Sequence, residues 1–162
     1  MEKELLEAYC GSGHGKTMLA IGQSIQAAVA GKKVIIIHFL KGKEQQDTML
    51  FEKLNDLDIN VFRFEKFDKY YEELSEQEKD EEKINILNGL HFANKVITTQ
   101  GCDFLILDEI LGLPDCGIAS VECIADILKG KDDSMHICLT GRVMPEELRQ
   151  YVDRITTITT EQ

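Results

Sequence analysis

The sequence predicts an α/β fold in which helices cover both faces of a mostly parallel sheet of five or six strands. Two observations support this prediction. Short β-rich runs alternate with helical patterns along the chain, and the run 34-VIIIHFL-40 is apolar almost throughout. A strand that is apolar on both faces is typical of a parallel sheet buried between two layers of helices. Strand–helix alternation is the pattern of such three-layer folds.

The elements follow one another in a regular order. Six segments are predicted as strands, namely Leu5–Cys10, Lys33–Leu40, Ile59–Phe64, Asp103–Asp108, His136–Thr140 and Arg154–Thr160. Five segments between them are predicted as helices, approximately Lys16–Ala30, Glu44–Asn55, Glu72–Thr99, Ile118–Lys129 and Pro145–Val152. The 162 residues fit one domain with a single core, so we expect residues 1–162 to form a single domain.

Three of the helices carry local signals of their own. Gly31 follows the first helix at the position where a left-handed residue commonly ends a helix. In the fourth helix Ile118, Val121 and Ile124 recur at helical spacing and form an apolar stripe. Pro145, followed by two glutamates, is a favourable start for the last helix.

The composition narrows the classes of function. A net charge of −11 and a pI of about 4.8 make sequence-independent nucleic-acid binding improbable, because a polyanion would be repelled. No apolar run approaches the ~20 residues of a membrane span, and the N-terminus lacks the pattern of a secretory signal. Five cysteines without a CxxC pair indicate reduced thiols. We therefore expect a cytoplasmic protein that binds neither membrane nor nucleic acid.

Much of the negative charge lies in an acidic segment, predicted to be helical at about residues 65–82. Between Glu65 and Glu82 there are nine acidic residues and three lysines. Such a run usually forms a solvated helix face or a mobile surface segment. A lid over a bound ligand is the alternative interpretation.

The stretch 10-CGSGHGKT-17 lies where the first predicted strand meets the first predicted helix. Glycines let several backbone N–H groups converge, and the helix N-terminus adds partial positive charge, so the loop attracts phosphate oxygens. Lys16 would reach the outer phosphates, and Thr17 would offer its hydroxyl to Mg²⁺ or Mn²⁺. The stretch matches the Walker A pattern except at the first glycine, where Cys10 stands. The predicted nucleotide-binding residues are Gly11, Ser12, Gly13, His14, Gly15, Lys16 and Thr17, of which His14 could equally face solvent.

Two further motifs follow predicted strands, at the edge where ligands bind in such folds. The run 104-FLILDE-109 supplies Asp108 and Glu109 as candidate magnesium ligands beside the loop. In 140-TGR-142, Arg142 could bind phosphate oxygens through its forked guanidinium, or it could merely decorate a loop. His38 is expected to be a hydrogen-bonded core histidine rather than a catalytic base. These motifs predict a P-loop NTPase (RecA-like) fold with a magnesium-dependent nucleoside triphosphate site, but not the reaction.

The chain resembles the P-loop ATP:corrinoid adenosyltransferases, the cob(I)yrinic acid a,c-diamide adenosyltransferase family. That family also lacks the first Walker A glycine. The resemblance extends through four further blocks, 31-GKKVIIIHFLKG-42, 104-FLILDEI-110, 117-GIASVECIADILKG-130 and 139-LTGRVMPEELRQYVDRIT-156. It implies transfer of the 5′-deoxyadenosyl group of ATP to the Co(I) of a reduced corrinoid, with release of triphosphate. It also implies that Lys16 and Arg142 stabilise the leaving group, that a flavoprotein is the reductant, and that the protein is a homodimer.

Two other classes of function remain open at this point. A P-loop ATPase or small-molecule kinase would use the same loop but release ADP. A non-catalytic nucleotide- or corrinoid-binding module is suggested by two departures from the family. The sequence ends at Gln162 without the family's usual tail, and it has no tryptophan where members carry a Trp-containing aromatic motif. In the corresponding region this chain has Phe67, Tyr70 and Tyr71.

Overall fold

The protein is described by a computed structural model covering residues 3–40 and 46–162. Its strands are β1 (Leu6–Cys10), β2 (Val34–His38), β3 (Ile59–Arg63), β4 (Phe104–Asp108), β5 (His136–Thr140) and β6 (Arg154–Thr157). They form a six-stranded sheet in the order β3-β2-β4-β5-β1-β6, and each neighbouring pair is parallel. The predicted α/β class with a parallel sheet is therefore confirmed.

Four α-helices connect these strands within the described residues. They are α1 (Lys16–Val29), α2 (Gln46–Lys53), α3 (Glu76–Thr98) and α4 (Val121–Leu128). Short 3₁₀ helices occupy Tyr71–Glu73, Ile110–Gly112 and Glu146–Tyr151. The first two residues of the predicted second helix, Glu44 and Gln45, lie outside the described residues. Among the helices that the structure describes, none is long and apolar enough to cross a bilayer.

Caps explain why two helices begin later than predicted. The Ser75 hydroxyl accepts a hydrogen bond from the Glu78 N–H, and the Glu78 carboxylate accepts one from the Ser75 N–H. This capping box starts α3 at Glu76 rather than at the predicted Glu72. The hydroxyl of Ser120 likewise accepts from the Cys123 N–H, which starts α4 at Val121.

The predicted α-helix at Pro145–Val152 is wrong in type, because this segment is a 3₁₀ helix at Glu146–Tyr151. The N–H of Leu148 donates to the carbonyl of Pro145, three residues before it. A segment of six residues gains few α-helical hydrogen bonds, and burial of Leu148 in the core holds the tighter turn in place.

Side chains alternate across the sheet and produce three layers. On one face Tyr9, Ile36 and Ile106 pack in a cluster with buried residues of α1, and α2 adds partly buried residues to it. On the other face Ile37 and Leu107 pack in a cluster with buried residues of α3 and α4. Because all strands are parallel, their carboxyl ends meet at one edge. Since β5 lies between β1 and β4, the glycine loop and the acidic strand end are separated by one strand.

The acidic segment is only partly the solvated helix that the sequence suggested. Helical structure in it is limited to Tyr71–Glu73 and to the part of α3 that begins at Glu76. Within α3, Glu82 is buried, and its carboxylate accepts hydrogen bonds from the N–H groups of Lys66 and Phe67. Glu82 therefore ties the chain that follows β3 onto α3.

A buried charged cluster joins β1, β5 and β6. Glu7 is fully buried, its Oε1 accepts a hydrogen bond from Arg154 at 3.0 Å, and its Oε2 lies 2.6 Å from Nε2 of His136. Burial by itself raises the pKa of Glu7, but the adjacent His136 ring and hydrogen bonds from Arg154 and Tyr9 together outweigh it and lower this pKa to about 2. The cluster therefore favours the charged carboxylate.

Acid is expected to destabilise the protein through Glu7. Its folded pKa of about 2 lies below the ordinary value of 4.5, so the stability it contributes is present above pH 4.5 and is lost as the pH falls towards 2. The loss amounts to about 3 kcal/mol. Urea unfolding of the wild type and of Glu7→Gln across this range measures it. The variant should show a shallower pH dependence, and equal slopes would contradict the assignment.

Candidate functional site

The glycine loop connects β1 to α1 at the carboxyl edge of the sheet, where the sequence placed it. Gly15 has a φ of +96° and precedes the first residue of α1 directly. The N-terminus of α1 therefore opens onto the loop. The N–H of Gly11 donates to the carbonyl oxygen of Arg142 at 2.8 Å. This bond holds the 140-TGR-142 turn against the glycine loop. The sequence predicted that the two motifs would lie at the same edge of the sheet, because each follows a strand.

The ammonium of Lys16 lies over the loop. Its Nζ donates hydrogen bonds to the carbonyl oxygens of Gly11 at 2.9 Å and Gly13 at 2.7 Å. The positive charge is therefore held where the loop curls, and anionic oxygens bound there would meet it. His14, the other basic residue of the loop, is exposed.

The chain that follows β6 packs directly against the loop. The N–H of Gly13 donates to the carbonyl of Ile158 at 2.8 Å, and the N–H of His14 donates to Oγ1 of Thr160 at 2.9 Å. Gly11 has a φ of +111°, and a Cβ atom there would lie 2.3 Å from the oxygen of Ile158. Glycine is required at Gly11 by both its backbone conformation and this close approach, and at Gly13 by the close approach alone, since a Cβ atom there would lie 2.7 Å from the oxygen of Ile158. No local sequence signal marked Ile158 or Thr160 as neighbours of the loop.

Asp108 is the centre of a second cluster, 0% exposed at the end of β4. Its Oδ1 accepts hydrogen bonds from the hydroxyls of Thr17 at 2.8 Å and Thr140 at 2.7 Å. Its Oδ2 lies 2.8 Å from Nδ1 of His38, at the end of β2. The predicted pair Thr17 and Asp108 is thus in direct contact. Sequence reasoning did not connect Thr140 or His38 with it, although both end apolar strands, which was the available signal.

Glu109, the other predicted metal ligand, takes a different direction. Its backbone is left-handed, with a φ of +65°, and its N–H donates to Oγ1 of Thr140 at 2.8 Å. A residue with a side chain rarely adopts this conformation, and such strain is concentrated at functional sites. The turn directs Glu109 to the wall of a neighbouring cavity.

That cavity has a volume of about 730 Å³ and lies beside the loop. Four carboxylates line it together with one guanidinium and one phenol; they belong to Glu72, Glu73, Glu109, Asp115, Arg142 and Tyr70. Arg142 is exposed, so its guanidinium can reach a ligand at the mouth. Of the three aromatic residues noted in the sequence, Tyr70 lines the cavity and Tyr71 packs against the core.

The residues around Asp108 fit a magnesium ion in chemical type. Hydroxyl and carboxylate oxygens are the ligands Mg²⁺ prefers, and it usually takes only one or two protein carboxylates besides phosphate oxygens and water. Thr17 donates its proton to Asp108, and its oxygen retains lone pairs that could bind a cation. Among the side chains that the structure describes, no three from His, Cys, Asp or Glu form a metal-binding group.

The fold is that of a three-layer, P-loop NTPase-like protein. Comparison with known proteins gives the family. Residues 2–162 match the ATP:corrinoid adenosyltransferase BtuR/CobO/CobP family, and the chain belongs to it.

Individual relatives are distant. A corrinoid adenosyltransferase of Escherichia coli is 21% identical over 155 residues, which cover 96% of this chain and 76% of the relative. An uncharacterised protein of a Nostoc species is 29% identical over 164 residues. The match covers 91% of this chain but only 42% of the Nostoc protein.

Proposed function

We propose that this chain transfers the 5′-deoxyadenosyl group of ATP to the Co(I) of a reduced corrinoid and releases triphosphate. The observation that carries the proposal is the junction of three features at one sheet edge, in a chain that belongs to the corrinoid adenosyltransferase family. These features are a glycine loop with Lys16 folded over it, the Thr17–Asp108 contact, and the adjoining cavity.

The loop would bind the triphosphate of ATP. Within Gly11–Thr17, the N–H groups of Gly11, Gly13 and His14 already donate to other parts of the chain. The attraction for phosphate oxygens would therefore come mainly from the N-terminus of α1, which begins at Lys16. Lys16 already lies against the loop carbonyls, so little ordering would be needed for its ammonium to meet the outer phosphates. The exposed guanidinium of Arg142 would bind phosphate oxygens from the cavity side.

Thr17 and Asp108 would hold Mg²⁺, Thr17 through its hydroxyl oxygen and Asp108 through the carboxylate that orients this hydroxyl. Bound there, the ion would neutralise charge that develops on the leaving triphosphate. Glu109 would contribute from the cavity wall. Mn²⁺ takes the same oxygen ligands and could replace Mg²⁺.

The reaction requires little acid–base catalysis by the protein. The cobalt electron pair attacks C5′ of ATP, the Co–C bond forms as the C5′–O bond breaks, and the bonding electrons leave with triphosphate. No proton has to move, so the protein's tasks are alignment and charge stabilisation. The cavity beside the loop would receive part of the corrinoid. A flavoprotein supplying the electron and assembly as a homodimer also belong to the proposal.

Product analysis tests this function. The protein is incubated with ATP, Mg²⁺ and chemically reduced cobalamin, and we expect a light-sensitive Co–C product and equimolar triphosphate. Reactions without reductant serve as the control. Release of ADP and phosphate instead would indicate an ATPase or kinase, and ATP binding without any product would indicate a binding module. Either result would overturn the proposal.

A further inference from the structure

His38 is a buried imidazole that the proposed reaction does not use. Its side chain is 1% exposed, and Nδ1 lies 2.8 Å from Oδ2 of Asp108. Thr17 and Thr140 both contact the other carboxylate oxygen, Oδ1. Oδ1 of Asp108 therefore has partners on α1 and β5, whereas His38 on β2 contacts the other oxygen, Oδ2.

The hydrogen bonds assign the proton on His38. Oγ1 of Thr140 accepts the N–H of Glu109, so its own proton is available to donate to Asp108. The hydroxyl of Thr17 also donates to this carboxylate. A carboxylate that binds a metal ion is ionised and only accepts hydrogen bonds, so at the proposed site Nδ1 of His38 carries a hydrogen and donates it to Oδ2.

We propose that His38 is a positioning residue, whose Nδ1–H fixes the plane of the Asp108 carboxylate and thereby sets the affinity for nucleotide-bound Mg²⁺. The terminal torsion of an aspartate is broad and roughly two-fold, so the carboxylate needs a contact on each oxygen to keep one orientation. Loss of the His38 contact would hold Oδ1 against Thr17 less firmly, and the Thr17 hydroxyl oxygen would then point less consistently at the ion. This inference rests on the magnesium site of the proposed function.

Two substitutions of His38 distinguish a role in positioning Asp108 from a role in filling the core. His38→Asn keeps an amide N–H about as far from the backbone as Nδ1, whereas His38→Leu keeps a similar volume without a donor. ATP affinity of each protein is measured by calorimetry in Mg²⁺ and again in EDTA. We expect His38→Leu to lower the affinity in Mg²⁺ by about 10- to 100-fold, as for other residues that orient a metal ligand. Its affinity in EDTA should stay near the wild-type value, and His38→Asn should retain most of the magnesium effect.

A third variant keeps the test informative if His38→Leu does not fold. His38→Gln places its donor one bond further from the backbone, so it should lose the magnesium effect that His38→Asn retains. Equal losses of affinity in Mg²⁺ and EDTA would overturn the inference, as would an unchanged magnesium effect in every variant. No corrinoid is present in these titrations. A failure of adenosyl transfer would therefore contradict the proposed function but would not contradict the positioning role of His38.

Discussion

Replacing Lys16 with alanine is expected to lower the affinity for ATP by about 100-fold or more. Its ammonium already contacts two loop carbonyls, at 2.9 and 2.7 Å, and would share its charge with the outer phosphates. A hydrogen bond from a charged group contributes about 1.5–3 kcal/mol, so loss of one or two such bonds from the ammonium to the phosphates gives this magnitude. The fold should survive, because the side chain is only half-buried and its bonds are local. Calorimetry with ATP measures the first effect and thermal unfolding the second.

Lys129→Ala is the matched control for Lys16→Ala. Lys129 follows α4 and pairs with Asp126 on the exposed surface. It carries the same charge as Lys16, so its loss changes the net charge equally but leaves the loop intact. ATP affinity should remain close to wild type in this variant. Wild-type affinity in Lys16→Ala, or equal losses in both variants, would contradict a specific phosphate contact.

Gly11→Ala is expected to destabilise the protein by about 3 kcal/mol or more and to abolish nucleotide binding. Residues with side chains rarely adopt its φ of +111°, which alone costs roughly 1–2 kcal/mol. The new Cβ would also lie 2.3 Å from the backbone oxygen of Ile158, which cannot rotate away as a side chain could. Relief would therefore require separating the loop from the chain after β6. The free energy of unfolding in urea measures the cost.

Gly22→Ala provides the contrast within the same part of the chain. Gly22 lies in α1, and a Cβ atom there would meet nothing within 4 Å. Because alanine favours helix, this variant should be more stable than wild type by about 0.5–1 kcal/mol. It should bind ATP normally. If Gly11→Ala behaved like Gly22→Ala, the close packing of Ile158 on the loop would be refuted.

Most of the fold was predictable because its signals are local. The apolar run at Val34–His38 and the alternation of strands with helices depend on neighbouring residues, and each predicted strand is present with small changes at its ends. The predictions were wrong where two short-range rules favour different structures for the same segment. The segment after Pro145 has good helix-start residues, yet it is too short for an α-helix and docks instead as a 3₁₀ turn through Leu148.

The candidate site, like the fold, has some features that could be predicted from the sequence and others that could not. The loop from Gly11 to Thr17 and the acidic strand end at Asp108 were predictable, since glycine spacing and an apolar run ending in acid are sequence patterns. The orientation of Glu109 towards the cavity was not, because it depends on a left-handed turn and on the hydroxyl of Thr140. Burial of Glu82 within the acidic segment was equally hidden by its charged neighbours.

By itself, the sequence determined the order of elements, the place of the glycine loop and the chemical types of side chain available at the sheet edge. Only the tertiary structure decided which of these side chains contact one another. Thr17 and Asp108 are 91 residues apart, and His14 and Thr160 are 146 apart, yet each pair is in hydrogen-bond contact. Such contacts depend on which strands become neighbours and in which register, and that depends on packing of the whole chain rather than on any local pattern.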